Sequence, residues 1–171
     1  ERNTVGDSSP EARHRQMSVE LTVAWTEYLG DDWAFVDCPG SVELTQETQN
    51  ALLCCDTAAV VCEPVPERAV GLAPLFRFLD AHDIPYMLFI NKMDTASQSV
   101  QAMLEALQAS ASRPLVLRQV PIRDGDRIAG YVDLVSERAY KYKPDQASDL
   151  IKIPDSMQSE ERSARQVMLE A

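Results

Sequence analysis

The sequence predicts an α/β fold: a doubly wound, mostly parallel sheet over residues 1–120, followed by a small α+β subdomain over residues 121–171. Three observations lead there. Short continuous apolar runs, Trp33–Val36, Ala58–Cys62 and Tyr86–Ile90, are bounded by turn residues, the pattern of strands buried on both faces. Helix-length stretches separate them, and a β–α alternation of this kind builds a parallel sheet through right-handed crossovers. After Pro121 the rhythm changes to β-type residues with a hairpin signal and one terminal helix.

The elements follow in order. The first sixteen residues, with Gly6, Ser8, Ser9 and Pro10 and no apolar period, are expected to form a mobile loop. From Met17 the chain alternates: Met17, Val19, Leu21, Val23 and Trp25 share one face, while Ser18, Glu20, Thr22, Ala24 and Thr26 share the other. That is a strand with one wet face. Leu29-Gly30-Asp31-Asp32 turns it back into Trp33–Val36, an antiparallel hairpin ending at Asp37. Ser41–Cys54 and roughly 73–82 carry helical spacing, with Pro74 at an early position where its missing N–H costs little. Met103, Leu104 and Leu107 lie on one face of a third helix, capped near Ser97 or Ser99. Leu115–Val120 is expected to be a fourth parallel-type strand. Further on, Arg123-Asp124-Gly125-Asp126 predicts a hairpin turn, and Ile128, Tyr131, Val132, Leu134 and Tyr140 are β residues. Lys143-Pro144-Asp145 breaks that run, and Pro154-Asp155 opens a last helix through Met168.

Composition narrows the classes. With 45% hydrophobic and 25% charged residues the chain is globular rather than disordered. No apolar run approaches the roughly 18 residues of a membrane span, and no secretory signal opens the chain, which predicts no membrane partner. Sixteen Lys and Arg against 27 Asp and Glu leave a net charge of −11, which excludes a broad basic face for nucleic acid. The charge is uneven: between Gln16 and Glu67 there are ten acids and no Lys or Arg. Either this is a solvated acidic face, or it holds a cation or meets a basic partner. Cys38, Cys54, Cys55 and Cys62 have no CxxC spacing, and His14 and His82 lie away from them, so reduced, mostly buried thiols in a cytosolic protein are expected.

Ligands of such sheets bind beyond the carboxyl ends of the strands. The first such loop is Asp37-Cys38-Pro39-Gly40. An Asp there can hold a water of Mg²⁺, a cation that favours carboxylate and water, and Gly40 lets its backbone N–H approach a phosphate closely. Asp-x-Pro-Gly is also an ordinary turn. The second is Asn91-Lys92-Met93-Asp94, after Tyr86–Ile90. A carboxylate there can accept two hydrogen bonds from guanine, N1–H and the exocyclic amine, which adenine cannot supply. Asn91 would contact the base or brace neighbouring loops, and the Lys92 stem would lie over the base plane.

DxPG and NKxD on consecutive βαβ units resemble the GTP-binding domain of translational GTPases, and within them elongation factor G. Arg15-Gln16-Met17-Ser18-Val19 resembles the end of that family's first switch, Arg-Gly-Ile-Thr. Val120-Pro121-Ile122, followed by Gly130-Tyr131-Val132-Asp133-Leu134-Val135, resembles the start of the subdomain elongation factor G inserts into its GTPase fold. The resemblance implies a P-loop NTPase-type sheet, GTP and Mg²⁺ as ligands, GTP/GDP and the ribosome as partners of the complete protein, and a cytoplasmic location. It assigns Asn91, Lys92 and Asp94 to guanine, Asp37, Pro39 and Gly40 to GTP, and Ser18 with Asp37 to the metal. The implied role is coupling of GTP binding and hydrolysis to ribosomal translocation or ribosome disassembly; the alternative is a non-hydrolysing, GTP-sensing or ribosome-binding paralogue.

Three departures qualify it. None of the six glycines begins a GxxxxGK[ST] phosphate cradle, and no Ser-Ala guanine loop follows the subdomain, so the chain is expected to be the interior of a GTPase domain without its N-terminal strand and phosphate loop. By itself it is expected to hold GTP poorly and to be inactive. Ser41 follows DxPG where the family carries the His that positions the attacking water; it is the one candidate catalytic residue, or else a helix N-cap. Ser18 stands for the switch threonine and keeps a hydroxyl for Mg²⁺.

Overall fold

The alternation after Met17 does produce a hairpin. The computed structural model describes residues 5–96, 98–125 and 127–171, and in it β1 (Thr22–Tyr28) pairs antiparallel with β2 (Asp31–Asp37), Thr22 opposite Asp37 and Tyr28 opposite Asp31. Leu29 and Gly30 both take positive φ, 56° and 87°, the two-residue turn whose twist matches paired strands. The strand begins five residues later than Met17, and two N–H groups ahead of it are committed elsewhere. Met17 N–H donates to the Ala12 carbonyl and Leu21 N–H to the Glu47 carboxylate.

Part of the expected N-terminal loop is instead helical. α1 (Pro10–Arg15) is capped by the Ser9 side chain, which accepts from Ala12 N–H at 3.2 Å, and it buries Ala12. Ser-Pro-Glu is a helix-start signature that outweighs the missing apolar period over so short a helix. The helix expected over Ser41–Cys54 is shorter at both ends: a 3₁₀ turn, Val42–Leu44, leads into α2 (Thr45–Leu52).

β3 (Ala58–Cys62) and β4 (Tyr86–Ile90) form a two-stranded sheet. Ala58 N–H donates to the Pro85 carbonyl and Asn91 N–H to the Cys62 carbonyl, so the bonds advance in the same sense along both strands and the pair is parallel. A 3₁₀ segment, Pro66–Leu72, and α3 (Ala73–Ala81) connect them, with Phe76 and Leu79 fully buried. These strands are not buried on both faces. Val61, Met87 and Phe89 are each more than half exposed, as are Phe35 and Trp25 in the hairpin. A continuous apolar run states that a strand is apolar on both sides, not that both sides are covered.

α4 (Val100–Gln108) carries the expected cap: Ser99 Oγ accepts from Ala102 N–H, and Met103 and Leu107 are buried, while Ser97 lies outside the described residues. The fourth parallel strand does not form. Residues 115–118 are irregular, with Leu115 N–H donating to the Gln108 side chain, and Gln119 starts β5 (Gln119–Asp124) of an antiparallel sheet. That sheet runs β5–β6 (Arg127–Asp133)–β7 (Arg138–Lys143)–β8 (Gln146–Ile151). The β5–β6 turn contains Gly125 at φ 59°; Asp126 lies outside the described residues. Val120, Val132, Leu134 and Ala139 form its core at 1% exposure or less. After a 3₁₀ turn, Asp155–Met157, α5 (Gln158–Glu170) ends the chain.

The described residues thus hold three separate sheets, with parallel pairing between β3 and β4. The chain divides into two compact units, residues 1–58 with 78–87, and residues 59–77 with 88–171. All four cysteines are free; Cys54 is exposed and the others are half-buried, less sequestered than their apolar neighbourhood predicted. Among the described residues no helix is long and apolar enough to cross a membrane.

Candidate functional site

The residues singled out by sequence fall into two groups, one in each unit. In the first unit, β2 ends at Asp37 and the chain passes through Pro39, which is buried, to Gly40, which is exposed. Thr48 Oγ1 on α2 donates to the Pro39 carbonyl at 3.0 Å, tying the loop to the helix behind it. A Cβ built on Gly40 would meet nothing within 4 Å, and its φ is ordinary. The fold's own sterics therefore do not demand a glycine there; what the glycine leaves open is approach to the backbone from outside.

Ser41 opens the 3₁₀ turn, and its carbonyl accepts from Leu44 N–H at 3.0 Å, but its side chain makes no capping hydrogen bond. The capping alternative is therefore not how this hydroxyl is used. A cleft of about 270 Å³ borders Ser41 and is lined also by Met17 and Val19, which flank Ser18, and by Glu11 and Arg15 of α1. The structure so brings the Ser18 segment and the loop after DxPG to one cleft, although they are far apart in sequence. Burial pushes the Cys38 thiol up, and Cys55, Asp37 and Glu47 push it further, so the thiolate is disfavoured inside the motif.

Among the described residues no three His, Cys, Asp or Glu side chains form a metal cluster. Ser18 and Asp37 offer a hydroxyl and a carboxylate, hard oxygen donors too few to enclose a cation. Mg²⁺ accepts donors of these two types, since it keeps several waters and takes its remaining ligands from phosphate oxygens.

In the second unit, Asn91 N–H continues the β3–β4 ladder by donating to the Cys62 carbonyl at 2.8 Å. Its side-chain oxygen accepts from Lys92 N–H at 2.9 Å, so Asn91 braces its own loop. Lys92 sits in the left-handed region at φ 56°, and its carbonyl accepts from both Thr95 N–H and Thr95 Oγ1. The chain then closes into a 3₁₀ turn, Met93–Thr95, which leaves Asp94 exposed. Lys92 Nζ donates to Glu63 Oε1 at 2.6 Å, and Arg68 pairs with Glu63 Oε2. The hydrogen bond and charge of Lys92, with the charge of Arg68, hold the Glu63 carboxyl below its ordinary range.

Sequence reasoning missed Glu63, Arg68, Thr48 and Thr95. Glu63 was visible as the residue following β3, at the same strand ends where Asn91 follows β4; parallel neighbours bring the residues after their carboxyl ends together.

The elongation factor Tu GTP binding domain family matches residues 1–165. The chain is 50% identical over 169 residues to the elongation factor G-like protein of a Synechocystis species, covering 99% of this chain and 25% of that protein. It is 30% identical to the mitochondrial ribosome-releasing factor 2 of Danio rerio over 80% of this chain and 18% of that protein. A solved structure of a Thermus thermophilus protein, described as ttk003000868, shares the fold at a TM-score of 0.83 and 24% identity, covering 96% of this chain and 24% of its own. The chain therefore spans about a quarter of the length of the relatives it matches.

Proposed function

Because the chain belongs to the elongation factor Tu GTP binding domain family, we propose that it is most of the GTP-binding domain of an elongation factor G-like translation factor. The complete protein would couple GTP binding and hydrolysis to ribosomal translocation or ribosome disassembly, acting in the cytoplasm. The doubly wound P-loop NTPase-type sheet, in which β3 and β4 are neighbours, and the inserted subdomain from residue 121 belong to this reading.

The braced Asn91–Asp94 loop carries it. Asn91 and Thr95 fix the backbone, while Asp94 stays exposed at a parallel strand end. In the proposed complex the Asp94 carboxylate accepts from guanine N1–H and the exocyclic amine, and the Lys92 stem covers the base. Binding a polar edge this way rejects bases that leave the carboxylate unpaired. In the first unit, Gly40 N–H, beside Pro39, would donate to the terminal phosphate, and Ser18 and Asp37 would hold Mg²⁺. Bound there, the ion would screen phosphate charge against the ten acids of residues 16–67, a stretch with no Lys or Arg.

A second reading rests on Ser41. A hydroxyl orients a water less far from the backbone than an imidazole does and carries no charge, so a GTP-sensing protein that does not turn over is the alternative. Multiple-turnover GTP hydrolysis by the full-length protein, with and without ribosomes, tests both. Ribosome-stimulated turnover supports the translation-factor reading. GTP binding without turnover, restored by Ser41→His, supports the sensing reading, and absence of guanine-nucleotide binding overturns both.

A further inference from the structure

Glu63 occupies a place that the guanine reading leaves without a role. It follows β3 directly, as Asn91 follows β4, and its carboxylate is divided between two cations. Oε1 takes Lys92 Nζ at 2.6 Å and Oε2 takes Arg68. Arg68 lies in the 3₁₀ segment Pro66–Leu72, which packs against α4, and Gln98 Nε2 reaches Glu67 of the same segment at 3.5 Å. The carboxylate thus links the tip of the candidate guanine loop to the segment that follows β3.

Such a bridge contributes little to folding. The side chains of Lys92, Arg68 and Glu63 are 60%, 72% and 37% exposed, and exposed ion pairs add little to stability because water and salt screen them. What it does is restrict one long side chain. A lysine otherwise samples many rotamers and loses that freedom when it is ordered against a ligand. Lys92 already sits in a left-handed backbone conformation, fixed by Asn91 and Thr95, so its stem leaves the loop in a set direction, and Glu63 fixes the far end.

Resting on the guanine reading of Asn91, Lys92 and Asp94, we propose that Glu63 is a positioning residue for nucleotide binding: it anchors the Lys92 ammonium so that the stem is already extended where the base of a guanine nucleotide arrives. Glu63 touches no part of the nucleotide and acts through Lys92. Binding energy otherwise spent on ordering that side chain is retained, and the contribution is ionic, so salt weakens it.

The test is calorimetric binding of GDP to the full-length protein at low and high salt, for the wild type, Glu63→Gln, Lys92→Ala and the double variant. Glu63→Gln is expected to weaken GDP binding about two- to fivefold at low salt, the range reached by exposed ion pairs, with the difference narrowing at high salt. In the Lys92→Ala background the same change is expected to have no effect, whereas a general structural role would weaken both backgrounds equally. The melting temperature should not move. Unchanged GDP affinity in Glu63→Gln, or equal losses with and without Lys92, overturns the proposal while leaving the guanine site standing. A wild type that binds no GDP overturns the guanine reading and the proposal with it.

Discussion

Replacing Gly130 with alanine tests the packing of the four-stranded sheet. Gly130 lies in β6 opposite Lys141 of β7, and a Cβ built there would stand 2.0 Å from the Tyr140 carbonyl oxygen and 3.0 Å from Lys141 Cα. A carbon–oxygen contact between strands is comfortable near 3.3 Å, so β6 and β7 must separate by about 1.3 Å at that point. Both obstructing atoms are backbone, so no rotamer change relieves the clash. Overpacking costs about 1–3 kcal/mol and a weakened ladder bond about another 1 kcal/mol, for a total of about 2–4 kcal/mol. For a chain of this size that lowers the melting temperature by roughly 5–15 °C. Circular dichroism melts of wild type and Gly130→Ala measure it, with Gly40→Ala as the control, since a Cβ there meets nothing within 4 Å. A Gly130→Ala melt within about 1 °C of wild type refutes the close approach of β6 and β7.

Other expectations concern single interactions. Asp133 is pushed up by burial, but N–H donors of Ser136 and Val135 and the Arg118 guanidinium outweigh that and hold its carboxyl below the ordinary range. It therefore adds stability that is fully present above the usual carboxylate range and is lost as pH falls through its lowered value. Asp133→Ala should cost about 1–3 kcal/mol at neutral pH and flatten that acid dependence in denaturant titrations; an unaltered acid limb would refute this. Cys54, exposed, should react first with a maleimide, ahead of Cys38 and Cys62, whose thiols burial pushes up; mass spectrometry of partly labelled protein reads the order, and Cys38 labelling first contradicts it. Thr48→Val removes the hydroxyl that holds the Pro39 carbonyl at 3.0 Å and should cost about 1 kcal/mol, with faster amide exchange confined to the loop after β2; unchanged exchange there refutes the tether.

Local signals were legible where one residue decides the geometry. Ser99 capped α4, Leu29-Gly30 turned the hairpin, and Asn91 to Asp94 fell at the end of β4. Signals that need a partner were not. Val61, Met87 and Phe89 are as apolar as buried strand residues, and their residue type does not state that their face is open. Leu115–Arg118 has strand composition, but Gln108 takes the Leu115 N–H, and the Arg118 carbonyl accepts from Leu134 N–H only beyond the end of β6. β8 went unforeseen because Gln146–Ile151 carries Ser148 and Asp149 where an alternating pattern would advertise a strand; β7 supplies the pairing. Of the candidate site, residue identities could be read from motifs, while the Glu63–Lys92 pair depends on strand adjacency that residue types do not state.

The central claim is that Asp94 reads a guanine base. The direct measurement is the affinity of the full-length protein for GDP and for xanthosine diphosphate, in the wild type and in Asp94→Asn. Xanthine presents an oxygen where guanine presents its amine, so an amide in place of the carboxylate suits it better. The account predicts that wild type prefers GDP and that Asp94→Asn reverses the preference by at least about tenfold, the scale of one charge-assisted hydrogen bond lost and another gained. The same base preference in both proteins would contradict it.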